Sequence, residues 1–268
     1  MLPPLLPPSY HRLYLALRGA GPTRRYFKGG GWCYDEASCL ARTHTSIGSA
    51  THFTPTFQFS GIMDSNATIN PTFANHNRVV LWYCDGASFS GDATAINTKT
   101  GKPLYFRGKR VMDAMLDTLM SEHGLDQAEE VLLSGGSAGG LAAYLHTDYV
   151  ASKMPKSVKK FKSSPVSGFF LLHEDAAGVP LYPNEMKYVY TMQNSSGGVN
   201  AKCVASLPEP EQWRCIFANY SYAHTESPIF PLNSAIDAWQ MGNIYASKSV
   251  AMKACTRPGA LPSPVRFV

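Results

Sequence analysis

Charge is scarce in this chain. Asp, Glu, Lys and Arg make up only 16% of its 268 residues, against roughly 25% in an average soluble domain. That excludes a solvated, self-repelling disordered chain and a salt-bridged coiled coil. The net charge of +5 is mild. Lys156, Lys159, Lys160 and Lys162 cluster, but without an RNP or zinc pattern, so they read as a solvated face and no nucleic-acid partner is expected. Long apolar runs are missing too. None approaches the ~18 residues that a membrane span needs. No two of the cysteines Cys33, Cys39, Cys84, Cys203, Cys215 and Cys255 form a CxxC, and no histidine stands at zinc spacing from them. No metal site is expected. Internal repeats and low-complexity linkers are absent. The opening MLPPLLPPSYHRLYLALRG is not a recognisable signal peptide, because prolines break its apolar stretch and no basic segment precedes it.

What is present describes a compact, loop-rich globule. Hydrophobic residues reach 44%, aromatics 12%, and there are 22 glycines and 19 prolines. Cys33 and Cys39, and Cys203 and Cys215, are close enough in sequence for short disulfide loops. Sequons at Asn66, Asn194 and Asn219 lean toward a secreted chain.

Periodicity gives an alternation of strands and helices. Phe27 to Gly31 reads as a strand end entering a glycine turn. Arg78 to Cys84 is an unbroken apolar run, as a buried strand requires. Tyr105 to His123 reads as a helix, with Val111, Met112, Met115, Leu116, Leu119 and Met120 on one stripe and Gly124 just past its end. Val131 to Leu133 reads as a strand and Leu141 to Met154 as a helix stopped by Pro155. Lys162 to Leu172 and Ile229 to Asn233 read as further strands. This order predicts an α/β fold with a mostly parallel central sheet flanked by helices.

Two segments carry chemistry. Residues 131–142 read VLLSGGSAGGLA, a G-x-S-x-G at Gly135, Ser137 and Gly139 between a strand and a helix. That is the setting of a nucleophile elbow, in which a strained turn exposes the serine hydroxyl. The next N–H, from Ala138, then faces a developing oxyanion with the helix N-terminus behind it. A glycine-rich helix entry without chemistry, or a phosphate-binding turn, would use similar residues, but no Gly-Lys-Ser/Thr follows. The second segment is Gly29-Gly30-Gly31-Trp32-Cys33. A glycine run after a strand can present the Gly31 and Trp32 amides to an anion, completing an oxyanion hole, although an ordinary glycine-rich turn would use the same residues.

The chain resembles the pectin acetylesterase family, which includes the Notum-type carboxylesterases. The resemblance rests on GGGWCYDEASC (29–39), YCDGASFSGD (83–92), LYFRGKRVMDAML (104–116), LLSGGSAGGLA (132–142), SGFFL (167–171) and PLNSAIDAWQ (231–240). It spans residues 26–245, leaving 1–25 as an atypical N-terminal segment without an opening strand and 246–268 as an unmatched tail. It implies an α/β-hydrolase-like fold and a secreted serine esterase that removes acetyl or other acyl groups from a polysaccharide such as pectin, without cofactor, as a monomer. It casts Ser137 as nucleophile, Asp237 as triad acid, and Gly31, Trp32 and Ala138 as oxyanion donors. Asp85, Ser88, Ser90 and Asp92 are expected to shape the pocket wall.

One departure stands out. In this architecture the histidine follows the acid, yet all eight histidines precede Asp237. The family's histidine would lie beyond this chain's last residue. His224 is the nearest upstream substitute. Without a base, Ser137 is a weak nucleophile at neutral pH, so a non-catalytic binding protein is the alternative reading. Family partners of Cys84 and Cys255 are expected in the missing segments.

Overall fold

The computed structural model describes residues 13–16, 23–53 and 57–246. Five strands form the central sheet: β1 (Leu13–Ala16), β2 (Thr23–Phe27), β3 (Asn77–Leu81), β6 (Glu130–Gly136) and β7 (Lys160–Val166). Their spatial order is β1-β3-β2-β6-β7, and every pairing is parallel except β1 with β3. A separate hairpin joins β4 (Ala93–Ile96) to β5 (Pro103–Phe106). The helices are α1 (Glu36–Arg42), α2 (Gly108–Glu122), α3 (Ala138–Ser152), α4 (Leu181–Met192), α5 (Ala201–Ser206), α6 (Ala218–Tyr222) and α7 (Ala238–Gln240). This is the α/β-hydrolase-like architecture, with crossover helices returning the chain between parallel strands. None of the described helices is long and apolar enough to cross a membrane.

Strand alternation sorts the sheet into two faces. Val79 and Leu81 of β3 and Val131 and Leu133 of β6 enter the main core, which meets the buried Met112, Met115, Leu116 and Leu119 of α2. The predicted α2 stripe is therefore a core face, and Gly124 closes the helix in the left-handed region with φ 70°. Val80 and Trp82 face the other way and pack under Phe53 and Met63.

Several boundaries differ from expectation. An opening strand does exist, as β1, and β2 starts at Thr23. The first, LYLA, is apolar but only four residues long, and the second, TRRYF, carries two arginines, so neither gives a long apolar run. α2 begins at Gly108, because Pro103–Phe106 pairs with Ala93–Ile96 instead. α3 begins at Ala138, three residues earlier than its apolar pattern, since two glycines hide its first turn. β7 ends at Val166, followed by Ser167 at φ 48°. Ile229 to Asn233 forms only isolated parallel bridges, Ser163 to Ile229 and Val166 to Leu232.

Both expected disulfides form, Cys33–Cys39 and Cys203–Cys215. Among the described residues Cys84 is a free thiol, and Cys255 lies outside them. The Cys203–Cys215 bridge is buried and ties α5 to the turn before α6. Closing such a loop contributes about 2–4 kcal/mol. The double variant Cys203→Ala/Cys215→Ala is expected to lose that much in a urea titration, and an unchanged midpoint would contradict the assignment.

Candidate active site

Ser137 occupies the junction between β6 and α3 with φ 57° and ψ −129°. L-residues avoid that region, at a cost on the order of 1–3 kcal/mol. The surroundings hold it there: the Ser137 N–H donates to the Val166 carbonyl at 3.1 Å, and the Ser137 carbonyl accepts the Leu141 N–H at 3.0 Å. Close approach requires the flanking glycines. A Cβ on Gly139 would stand 2.0 Å from the Phe27 carbonyl oxygen, and one on Gly135 would stand 2.1 Å from that of Gly139. The Ser137 side chain is exposed. It opens into a cavity of about 1140 Å³ that runs along the second face of the sheet, past Tyr26, Val80 and Leu132, to Phe230 and Leu232. Lys28 and Lys162 also line it, and no carboxylate among the described residues does.

The glycine loop leaves β2 beside this serine, because Phe27 pairs with Gly135. A Cβ on Gly29 would lie 3.1 Å from that of Ser137. Gly31 turns the chain at φ 61°, with open space where a side chain would stand. Among the described residues the N–H groups of Gly31, Trp32 and Ala138 have no acceptor. Buried amides are otherwise almost always paired, and Trp32 and Ala138 are both buried. Amides without acceptors, on the residue after a strained, exposed serine and on the loop that passes it, are the kind of donors a developing oxyanion needs.

The segment 85–92 lies behind these elements and is not a wall of the cavity at Ser137, contrary to expectation. Ser88 and Ser90 are fully buried. Ser88 Oγ donates to the Ala138 carbonyl and accepts the Trp32 indole N–H, both at 2.8 Å. Asp85 accepts the N–H groups of Phe89 and Gly91, and burial raises its carboxyl pKa. Asp92 pairs with Arg110 at the surface. His146 sits 3.1 Å from the Ser88 carbonyl through Nε2, and burial pushes its pKa down to about 4. It is a neutral core histidine, walled off from the cavity.

Asp237 caps α7, taking the Gln240 N–H at 2.9 Å. Two residues on, the Trp239 ring packs against Trp32 at 5.6 Å and Phe170 at 5.2 Å. Asp237 thus stands on a segment docked against the glycine loop, though it does not itself line the cavity.

The sequence matches the family described as Pectinacetylesterase over residues 7–259. The chain belongs to that family. It is 37% identical over 252 residues to pectin acetylesterase 11 of Arabidopsis thaliana, covering 92% of this chain and 63% of that protein. Pectin acetylesterase 5 of the same plant is 36% identical over 242 residues, covering 90% and 55%. The human palmitoleoyl-protein carboxylesterase NOTUM is 26% identical over 235 residues, covering 84% and 46%. Among solved structures, the Wnt deacylase Notum from Drosophila superposes with a TM-score of 0.75 at 24% identity, covering 87% of this chain and 68% of that one. That likeness concerns the fold.

The chain spans less than two thirds of the length of these plant relatives. The family match reaches into both stretches flanking residues 26–245. No histidine among the described residues lines the cavity at Ser137. His224 is half-buried, with Nδ1 3.0 Å from the Tyr220 carbonyl in its own helical turn. The structure brings Ser137 to the cavity together with Gly29 and Gly30 of the glycine loop, and does not bring His224 there. Asn66 and Asn194 are exposed, whereas Asn219 is half-buried and accepts the Leu172 N–H at 3.2 Å. Sequence reasoning missed the two lysines of the cavity wall. Lys162 belongs to a cluster whose pattern reads as a solvated face, and Lys28 carries no motif signal.

Proposed function

We propose that this chain is the nucleophile-bearing part of a secreted serine carboxylic-ester hydrolase that removes acetyl groups from an acidic polysaccharide such as pectin. The observation that carries the reading is the strained, exposed Ser137 beside three amides without acceptors. In the reaction Ser137 Oγ bonds to the acyl carbon while the carbonyl electron pair moves onto oxygen, where the Gly31, Trp32 and Ala138 amides receive it. The hydroxyl proton passes to a general base. On collapse the base returns that proton to the departing sugar oxygen, and water, giving a proton to the base, then cleaves the acetyl-serine to acetate with the serine hydroxyl reprotonated. Asp237 is the residue that would orient the histidine base. Two disulfides fit an oxidising compartment. Support for a polyanionic substrate comes from Lys28 and Lys162, the charged side chains among the described residues that line the cavity. The plant relatives named pectin acetylesterases are also nearer in sequence than the Notum proteins.

The test is acetate release from acetylated polygalacturonate against acetylated xylan. Lys28→Ala/Lys162→Ala is expected to raise KM for the polyuronate about 10-fold at low salt, and to leave 4-nitrophenyl acetate turnover unchanged. Equal loss on both polymers would remove the acidic-substrate reading. A second reading, a binding protein without turnover, is favoured by the absence of a histidine along the described cavity wall. It predicts polyuronate binding without acetate release even when a base is supplied.

A further inference from the structure

A peptide unit is planar and trans, so its C=O and N–H point in opposite directions. Pinning one carbonyl therefore aims the amide that follows it. Both carbonyls that precede the free amides of the glycine loop are pinned from behind. Arg42 Nη1 donates to the Gly30 carbonyl at 2.8 Å, and the Tyr83 hydroxyl donates to the Gly31 carbonyl at 2.7 Å. The amides aimed by these contacts are those of Gly31 and Trp32. The two side chains also hold each other: the Arg42 guanidinium lies 4.7 Å from the centroid of the Tyr83 ring. Tyr83 in turn accepts the Ser88 N–H at 3.0 Å, and Ser88 Oγ reaches the Ala138 carbonyl. One buried network thus joins the glycine loop to the first turn of α3.

Arg42 also acts on the buried Asp85 carboxyl, whose pKa burial raises and the Arg42 charge lowers. Arg42 is buried at 9% exposure, and its Nε and Nη2 have no hydrogen-bond partner among the described residues. A buried cation is costly unless paired, and here the Gly30 carbonyl, the Tyr83 ring face and the charge of Asp85 offset that cost. Tyr83 is fully buried, and burial raises its pKa, so the hydroxyl keeps the proton it donates.

We propose that Tyr83 and Arg42 are positioning residues that aim the Gly31 and Trp32 amides at the oxyanion formed when Ser137 attacks an ester. This rests on the reading of Ser137 and these amides given above. The test compares the intact chain with Tyr83→Phe, which removes only the hydroxyl, and with Arg42→Met. Each is assayed in imidazole buffer on 4-nitrophenyl acetate and on its thionoacetate, whose sulfur is a poor acceptor for the amides. Thermal melts establish that each variant is folded at the assay temperature. Losing an oxyanion donor costs about 10²–10³ in kcat, so a misaimed one is expected to cost at least about 10-fold. KM for the oxygen ester should hold, and the preference for that ester over the thionoester should narrow by the same factor. An unchanged kcat in folded Tyr83→Phe, or equal losses on both esters, would overturn the proposal. If instead Ser137→Ala retains the parent rate, the nucleophile assignment fails, which is a separate result. Should Tyr83→Phe not fold, Arg42→Met carries the same comparison.

Discussion

The 268-residue chain will hydrolyse 4-nitrophenyl acetate through Ser137 at a rate about 10²–10⁴-fold below that of the same chain supplied with a positioned general base. The proposed nucleophile, acid and oxyanion amides all lie at or before residue 237, while no histidine among the described residues lines the cavity. A serine hydroxyl has little nucleophilic character without a base. The oxyanion donors alone still sustain residual catalysis. Free imidazole should raise the Ser137-dependent rate in proportion to its concentration, and only partly, because a diffusing base lacks the effective molarity of a tethered one. Extending the chain with a segment that carries a histidine able to reach Ser137 should raise it much further. If the chain alone turns over at ordinary esterase rates and imidazole adds nothing, a histidine within it serves as base, with His224 the first to replace by Ala.

Gly139→Ala is expected to destabilise the fold by about 3 kcal/mol or more and to abolish the residual activity. Its new methyl would sit 2.0 Å from the Phe27 carbonyl oxygen. That atom is backbone at the end of β2, so it cannot swing aside as a side chain would. Relief requires α3 to lift from β2, which moves Ser137 away from the glycine loop. Gly197→Ala is the control, since nothing stands within 4 Å of its added Cβ. Its urea midpoint should stay within about 0.5 kcal/mol of the parent. A well-folded, active Gly139→Ala would show that the junction is looser than the contacts imply.

The parts legible in the sequence were those written in local patterns. The α2 stripe from Val111 to Met120 follows from helical period, and β3 from its continuous apolar run. The Ser137 junction is legible because strain and close approach demand small neighbours in fixed order. Cys33–Cys39 and Cys203–Cys215 were legible from separation alone. What escaped depends on contacts distant in sequence. β2 carries two arginines in five residues, so nothing local marks it as an inner strand; its place between β3 and β6 comes from pairing. Arg42 and Tyr83 meet the glycine loop from 12 and 52 residues away. Their partners are backbone carbonyls, which leave no trace in residue identity. Ser88 is similar: the motif around it is visible, but its burial between the Trp32 indole and the Ala138 carbonyl, away from the cavity wall, depends on contacts distant in sequence.

The most direct measurement is the site of covalent capture. The chain should be incubated with a fluorophosphonate probe in imidazole buffer, digested, and the adduct mapped by mass spectrometry. The account predicts a single phosphonylated serine, Ser137, with labelling accelerated by imidazole and lost in Ser137→Ala. An adduct on another serine, or a folded chain in which Ser137 remains unmodified while imidazole is present, would contradict it.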